Sequence, residues 1–109
     1  MNKFIHAFTG LFAGFMDRSI MLQWLIVIAA SLFFLWLEIS MMEWCVIMIC
    51  FGIVVSLEYV NTVVEHIMDF QHNQYHPKIK QIKDLSAGSV LVGALMSLII
   101  GVLITLNHM

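Results

Sequence analysis

Residues 44–69 read WCVIMICFGIVVSLEYVNTVVEHIMD. The first part of this stretch, up to Leu57, is apolar and uncharged, and polar residues follow from there on. A helix needs about 20 apolar residues to cross the hydrocarbon core of a bilayer. The 14 residues from 44 to 57 are too few to cross it, so the helix has to continue through the polar part. We therefore predict a membrane helix over residues 44–69 that carries polar side chains towards one end.

Two further stretches flank this helix and are also long and apolar enough to span a membrane. Residues 19–37 and residues 85–106 contain no charged side chain. Residues 1–18 are largely apolar and aromatic but too short to cross, which is typical of a helix that lies in the membrane interface. The predicted fold is an all-α integral membrane protein, with three transmembrane helices preceded by an amphipathic interfacial helix, in a single domain over residues 1–109.

The composition agrees with this assignment and excludes several other classes of protein. Of the 109 residues, 61% are hydrophobic and 11% are charged, whereas soluble domains have about 45–50% apolar and about 25% charged residues. A net charge of -2 gives no basic surface for nucleic acid. The two cysteines, Cys45 and Cys50, lie within the apolar run and are expected to be reduced thiols.

Positive charge predicts the orientation in the membrane, because cytoplasmic segments carry an excess of Lys and Arg. Lys3 and Arg18 precede the first span, and three lysines lie between the second and third spans, at positions 78, 80 and 83. Residues 38–43, between the first two spans, contain no Lys or Arg. We expect the amino terminus and the loop over residues 70–83 to be cytoplasmic, and the carboxyl terminus to lie outside.

Small residues in the third span indicate how its helix packs. They recur at every fourth position, as Ser89, Gly93, Ser97 and Gly101. Such a stripe lets two helix backbones approach closely in lipid, where no hydrophobic effect drives helices together. We expect the stripe to form a helix–helix interface, and we expect three helices of this size to need partner copies to bury their polar groups.

The polar side chains of the second span fall on one edge of its helix. At about 100° per residue they occupy an arc of about 80°, and they are Glu58, Asn61, Glu65 and Asp69. We call these four residues the polar stripe. An acidic residue inside the membrane boundary is costly and usually belongs to a site or a paired contact. The alternative is that the membrane helix ends near Leu57 and an amphipathic, solvated extension follows.

Carboxylates and lysines at the cytoplasmic surface suit phosphoryl transfer to a lipid alcohol. Mg²⁺ prefers one or two carboxylates together with substrate phosphates, and a carboxylate partly withdrawn from water can accept a proton from a hydroxyl. The lysines of the loop can meet phosphate oxygens. Neither a P-loop nor the glycine-rich loop of protein kinases occurs, so a nucleotide site would be of an unusual type.

Three motifs give the chain a resemblance to a known family. Glu58-x-x-Asn61-Thr62-x-x-Glu65-x-x-x-Asp69 is followed by Tyr75-His76-Pro77 and by Lys83-Asp84-x-x-Ala87-Gly88. This series resembles the prokaryotic integral-membrane diacylglycerol kinase and undecaprenol kinase family over nearly the whole chain. The resemblance implies a small homotrimer in the bacterial cytoplasmic membrane, with active sites shared between subunits, that phosphorylates a lipid alcohol with Mg-ATP.

The resemblance also implies roles for the acidic residues. By similarity, Glu58 is the base that takes the proton of the lipid hydroxyl, and Glu65 is a metal ligand beneath the ATP phosphates. Asn61 and Asp69 would support this pair. The family usually has a Glu as second metal ligand before the first span, where this chain has Asp17, whose side chain is one methylene shorter.

Further residues would contact the nucleotide. By similarity, Tyr75 and His76 belong to a nucleotide-contacting loop, and Lys83 and Asp84 touch ATP. The alternative for Asp84 is a structural role, because its position suits a cap at the start of the third helix. An Arg that is common before Gly10 in the family is Thr9 here, which removes a cation that could help bind phosphate.

The sequence leaves open which lipid is the acceptor, and it also allows two functions other than that of a kinase. The motifs look more like the undecaprenol kinase branch than the diacylglycerol-specific one, so undecaprenol is favoured over diacylglycerol as the acceptor. A catalytically lapsed member with an assembly role is one alternative, suggested by Asp17 and Thr9. A small transporter or channel subunit is another, although its acidic residues should lie near mid-membrane rather than at one face.

Overall fold

The computed structural model describes residues 3–71 and 76–109, and every regular element in these ranges is helical. A short amino-terminal helix ends in a 3₁₀ turn over Gly14–Met16 and is followed by three long helices. In chain order the helices are α1 (Lys3–Ala13), α2 (Arg18–Leu37), α3 (Met41–Gln71) and α4 (Pro77–Asn107). The all-α architecture and the three candidate membrane spans are confirmed, since α2, α3 and α4 are long and apolar enough to cross a bilayer.

The long helices differ in how far they would reach beyond the hydrocarbon. The 20 residues of α2 measure about 30 Å, which is about the thickness of the hydrocarbon core. The 31 residues of α3 and of α4 measure about 46 Å each. The polar end of α3 therefore has room to stand outside the hydrocarbon while its apolar part spans it.

The connection between α3 and α4 is shorter than expected. A loop was predicted over residues 70–83, but α3 continues to Gln71 and α4 already begins at Pro77. Proline is favoured at the first helical position, where its missing N–H costs nothing. His76 caps this helix, with its Nδ1 accepting the N–H of Lys78 at 3.1 Å. Asp84 thus lies inside α4, and its expected capping role is wrong.

A capping box closes the turn between α2 and α3. The Oγ of Ser40 accepts the backbone N–H of Glu43 at 3.1 Å, and Oε1 of Glu43 accepts the N–H of Ser40 at 2.9 Å. The same Oε1 lies 2.7 Å from Nε2 of His108 at the end of α4. Side chains therefore connect the start of α3 to the end of α4 at this end of the bundle, opposite to the end that carries the polar stripe.

Helix α3 is central and packs against both α2 and α4. It contributes most of the buried side chains among the described residues, and at its apolar end these form a core with α2 and α4 around Phe34, Ile39, Ile47 and Ile104. Large apolar side chains elsewhere face outwards, as in Leu32 and Leu103, which are 62% and 61% exposed. Such an outward apolar surface is expected where lipid rather than water surrounds the helices.

The stripe of small residues on α4 packs within the chain. A Cβ added at Gly93 would lie 3.0 Å from Cδ1 of Leu57 on α3, and one added at Gly101 would lie 3.6 Å from Cζ of Phe34 on α2. The small residues thus let α4 approach α3 and α2 of the same chain. The expected helix–helix interface is therefore found between helices of the same chain.

We expect Gly93→Leu to destabilise the protein by about 1–3 kcal/mol, because a large side chain would separate α4 from α3. Thermal unfolding in detergent, followed by circular dichroism, measures the effect. Gly52→Leu is the matched control, since nothing lies within 4 Å of a Cβ at Gly52. Equal melting temperatures for the two variants would contradict this packing.

Candidate active site

The polar stripe runs along the carboxyl-terminal part of α3 and becomes gradually more exposed. Glu58 and Asn61 are buried, each 7% exposed. Glu65 is half-buried and Asp69 is exposed. From residue 58 to residue 69 the helix rises about 16 Å, so the stripe leads from a buried carboxylate to the polar end of the bundle.

Within the described part of the chain, Glu58 accepts a hydrogen bond from one neutral donor, which lies on a neighbouring helix. Nε2 of Gln23 on α2 donates to Oε2 of Glu58 at 3.3 Å. A carboxylate has about four acceptor positions on its two oxygens. One amide donor leaves Glu58 with capacity for a further hydrogen bond, which is what a base needs in order to take a proton from a hydroxyl.

Asn61 has one satisfied and one unsatisfied polar atom. Its Nδ2 donates to Oε1 of Glu65 at 3.0 Å, whereas its Oδ1 is buried and has no hydrogen-bond partner among residues 3–71 and 76–109. Leaving a buried acceptor unpaired costs about 1–3 kcal/mol. A buried amide oxygen beside a carboxylate provides the hard oxygen donors that Mg²⁺ prefers, so the residues present fit this ion.

Lys83 connects the outer part of the polar stripe to α4. Its Nζ donates to Oδ1 of Asp69 at 2.8 Å. Lys83 precedes the apolar segment over residues 85–106 and so lies outside the spanning part. The hydrogen bond to Asp69, aided by the charge of Glu65, raises the pKa of Lys83 above its ordinary value. The ammonium group thus stays charged beside the acids, where it can attract a phosphate.

Two further residues that are predicted to contact the nucleotide make hydrogen bonds within α4 or at its start. Asp84 pairs with Lys80 at 2.6 Å on an exposed face of α4. His76 uses its Nδ1 to cap α4, and Tyr75 lies outside the described residues. Their contacts with ATP stay predictions.

Asp17 has a structural role in this structure. It is the N-cap of α2, and its Oδ1 accepts the N–H of Ile20 at 3.1 Å. Within residues 3–71 and 76–109, no three His, Cys, Asp or Glu side chains are grouped so that they could hold a metal ion. The roles of Asp17 and Glu65 as metal ligands therefore stay predictions.

Sequence reasoning missed the residues that hold the polar stripe in place. Tyr59, next to Glu58, donates its hydroxyl to the carbonyl of Leu11 at 2.7 Å and accepts Nε1–H of Trp24 at 3.3 Å. Gln23 is the one strongly polar side chain in its span, and that isolation was the signal that could have identified it as a partner of an acid.

An apolar groove of about 720 Å³ opens on the face of α3 that carries Tyr59, the residue after Glu58. Residues of α1, α2 and α3 line it, among them Gly10, Trp24 and Tyr59. A buried carboxylate, an unsatisfied amide oxygen and a lysine thus lie at one end of an apolar bundle. This arrangement can bring a charged phosphate donor close to the polar head of a molecule that is otherwise apolar.

Comparisons with known proteins point to one family. The family model described as prokaryotic diacylglycerol kinase matches residues 5–105. An undecaprenol kinase from Bacillus subtilis (strain 168) is 45% identical over 69 residues, which cover 63% of this chain. The matched region spans 56% of the length of that relative.

Proposed function

Because this chain belongs to the prokaryotic diacylglycerol kinase family, we propose that it is an ATP-dependent lipid kinase that transfers the γ-phosphate to a membrane lipid alcohol. The chain is a multi-pass membrane protein, with three apolar helices of sufficient length. The observation that carries the proposal is the buried end of the polar stripe, where Glu58 and the unpaired Oδ1 of Asn61 lie side by side on α3.

Undecaprenol is the acceptor that we propose, with diacylglycerol as the second choice. The relative from Bacillus subtilis that supports this choice is named an undecaprenol kinase. Both lipids present a hydroxyl on long apolar chains. The apolar groove between α1, α2 and α3 is compatible with either chain type.

Glu58 is the proposed general base. Its carboxylate takes the proton of the lipid hydroxyl while the hydroxyl oxygen attacks the γ-phosphorus, and the bond to the ADP oxygen breaks. Gln23 orients the carboxylate through the hydrogen bond to Oε2. General base catalysis by a positioned side chain contributes typically 10²–10⁴-fold to a rate.

Glu65 and Asp17 are the proposed ligands of Mg²⁺, with Asn61 and Asp69 as supporting residues. Nδ2 of Asn61 holds Oε1 of Glu65 in place, and Asp69 fixes Lys83 beside it. A bound Mg²⁺ would neutralise charge on the ATP phosphates and so favour the departure of ADP.

Nucleotide binding is assigned to Lys83, Asp84, Tyr75 and His76. Lys83 supplies a positive charge beside the acids, and the others are assigned by family resemblance. Lys83 can turn from Asp69 towards a phosphate without leaving the polar end of the bundle. This exchange of partners would couple ATP binding to the contact between α3 and α4.

We place the protein as a homotrimer in the bacterial cytoplasmic membrane, with residues 70–83 and the amino terminus on the cytoplasmic side. The contacts Gln23–Glu58 and Lys83–Asp69 put the amino-terminal ends of α2 and α4 beside the polar end of α3. Arg18 and the lysines therefore belong to the same end, as the orientation requires. Neighbouring copies would contribute the acids that one chain does not bring to the polar stripe.

Asp17→Ser separates the proposed metal role of this residue from its capping role. Serine is as good an N-cap as aspartate, so we expect an unchanged melting temperature. Loss of the carboxylate should raise the Mg²⁺ concentration needed for half-maximal activity by about tenfold or more. The capping control is Asp17→Ala, which should also lower stability, by about 1 kcal/mol. An unchanged Mg²⁺ requirement in Asp17→Ser would leave Asp17 as a cap only.

A phosphate-transfer assay tests the function directly. The purified protein in mixed micelles receives γ-labelled ATP and Mg²⁺, with undecaprenol and diacylglycerol offered side by side. We expect Mg²⁺-dependent labelling of lipid, with undecaprenol preferred. Binding of ATP without any transfer would instead identify a catalytically lapsed member.

A further inference from the structure

Two hydrogen bonds between neighbouring residues set how α2 lies against α3 beside the proposed base. Gln23 donates to Glu58, and Trp24 donates to Tyr59, both at 3.3 Å. In each helix the two residues are adjacent in sequence. The position of one contact therefore fixes the position of the other, because a helix backbone is stiff over one residue.

Tyr59 also fastens the amino-terminal segment to the same place. Its hydroxyl donates to the carbonyl of Leu11 in α1 at 2.7 Å. Gly14 gives its ring the necessary space, since a Cβ there would overlap it. Phe15 stacks on Trp24 with ring centroids 5.9 Å apart. One hydroxyl thus joins α1, α2 and α3 in largely apolar surroundings.

We propose that Tyr59 is a positioning residue for the phosphoryl transfer, which acts on Glu58 through Trp24 and Gln23. The inference rests on the proposed function, in which Glu58 is the base. The hydroxyl of Tyr59 keeps Trp24 in place, and with it the amide of Gln23 that orients the Glu58 carboxylate. Tyr59 need not touch the substrate to do this.

The hydroxyl is well suited to this task because of where it lies. Tyr59 is half-buried, so few water molecules compete for its two partners. The Leu11 carbonyl lies in the last turn of α1, where carbonyl oxygens have no N–H partner within the helix. Without the hydroxyl, both the end of α1 and the indole of Trp24 lose a partner, and α2 becomes free to shift relative to α3.

Tyr59→Phe is the direct test, because it keeps the ring beside Gly14 and removes only the hydroxyl. We expect kcat for lipid phosphorylation to fall by about tenfold to a hundredfold, since small displacements of a catalytic group have effects of this size. The KM for Mg-ATP should not change. Amide hydrogen exchange over residues 11–17 should become faster, because the end of α1 is released.

Gln23→Leu tests whether Tyr59 acts through Gln23. This variant should lower kcat to a similar extent and leave hydrogen exchange over residues 11–17 unchanged. The double variant should be no slower than the slower single variant, because both changes disturb the same contact. Thr105→Val is the control, since it removes a hydrogen bond to the Gly101 carbonyl at the other end of the bundle.

Two results would overturn the positioning role of Tyr59 while leaving the proposed function intact. One is a fully active Tyr59→Phe protein, and the other is a double variant whose losses multiply. A wild-type protein without transferase activity would instead refute the proposed function. Hydrogen exchange in Tyr59→Phe at the wild-type rate would refute the attachment of α1 by this hydroxyl.

Discussion

Glu58→Gln is expected to lower kcat for lipid phosphorylation by about 10²–10⁴-fold, the largest effect of any single substitution that we predict. Glutamine has the same shape but cannot take the proton of the lipid hydroxyl. Its side-chain oxygen can still accept the hydrogen bond from Gln23, which lies 3.3 Å from Glu58 in the wild-type protein. Helix packing and assembly should therefore survive, and the KM for Mg-ATP should stay close to the wild-type value.

The assay compares Glu58→Gln with Glu38→Gln, which makes the same change in net charge. Glu38 lies at the carboxyl-terminal cap of α2, in the turn at the opposite end of the bundle from the polar stripe. The Glu38→Gln variant should keep wild-type turnover. Elution volume in size-exclusion chromatography verifies that the wild-type protein and the two variants assemble alike. Full turnover in Glu58→Gln would remove Glu58 from the mechanism.

Glu65→Gln should cause the second largest loss of lipid phosphorylation. The reason is weaker binding of Mg²⁺, whereas Glu58→Gln prevents the removal of a proton. Glu65 is held by Asn61 at 3.0 Å and is half-buried, and it is the proposed ligand of Mg²⁺ beneath the phosphates. Loss of its charge should lower transfer by about 10²-fold and raise the Mg²⁺ concentration required by about tenfold or more. A titration of activity against Mg²⁺ at fixed ATP measures both quantities.

Binding of a fluorescent ATP analogue distinguishes this role from that of Glu58. Glu65→Gln should weaken Mg²⁺-dependent binding of the analogue, whereas Glu58→Gln should bind it as the wild-type protein does. Glu38→Gln is again the charge control. If Glu65→Gln binds the analogue normally and needs no more Mg²⁺, Glu65 is not a metal ligand.

Much of the candidate site could be predicted because it lies on one helix. The period of an α-helix places Glu58, Asn61, Glu65 and Asp69 on one edge wherever that helix packs. Their gradual exposure along α3 agrees with a stripe that crosses the membrane boundary. What the pattern could not predict is that Asn61 would keep a buried oxygen without a partner, because that depends on which helices lie opposite.

Contacts between helices were harder to predict from the sequence. The interface formed by the small residues of α4 was predicted, but it joins α4 to Leu57 and Phe34 of the same chain. Periodicity defines the face of a helix without identifying the element that covers it. The early start of α4 at Pro77 was also missed, since local capping by His76 extends the helix beyond its apolar part.

The amino-acid sequence by itself determined the membrane spans and the edge of α3 that is polar, because hydropathy and helical period are local properties of the chain. Only the tertiary structure decided that Gln23 meets Glu58 and that Tyr59 joins α1 to α2. These contacts depend on how helices lie against each other, since the residues that meet at Glu58 and Tyr59 are 35 or more positions apart.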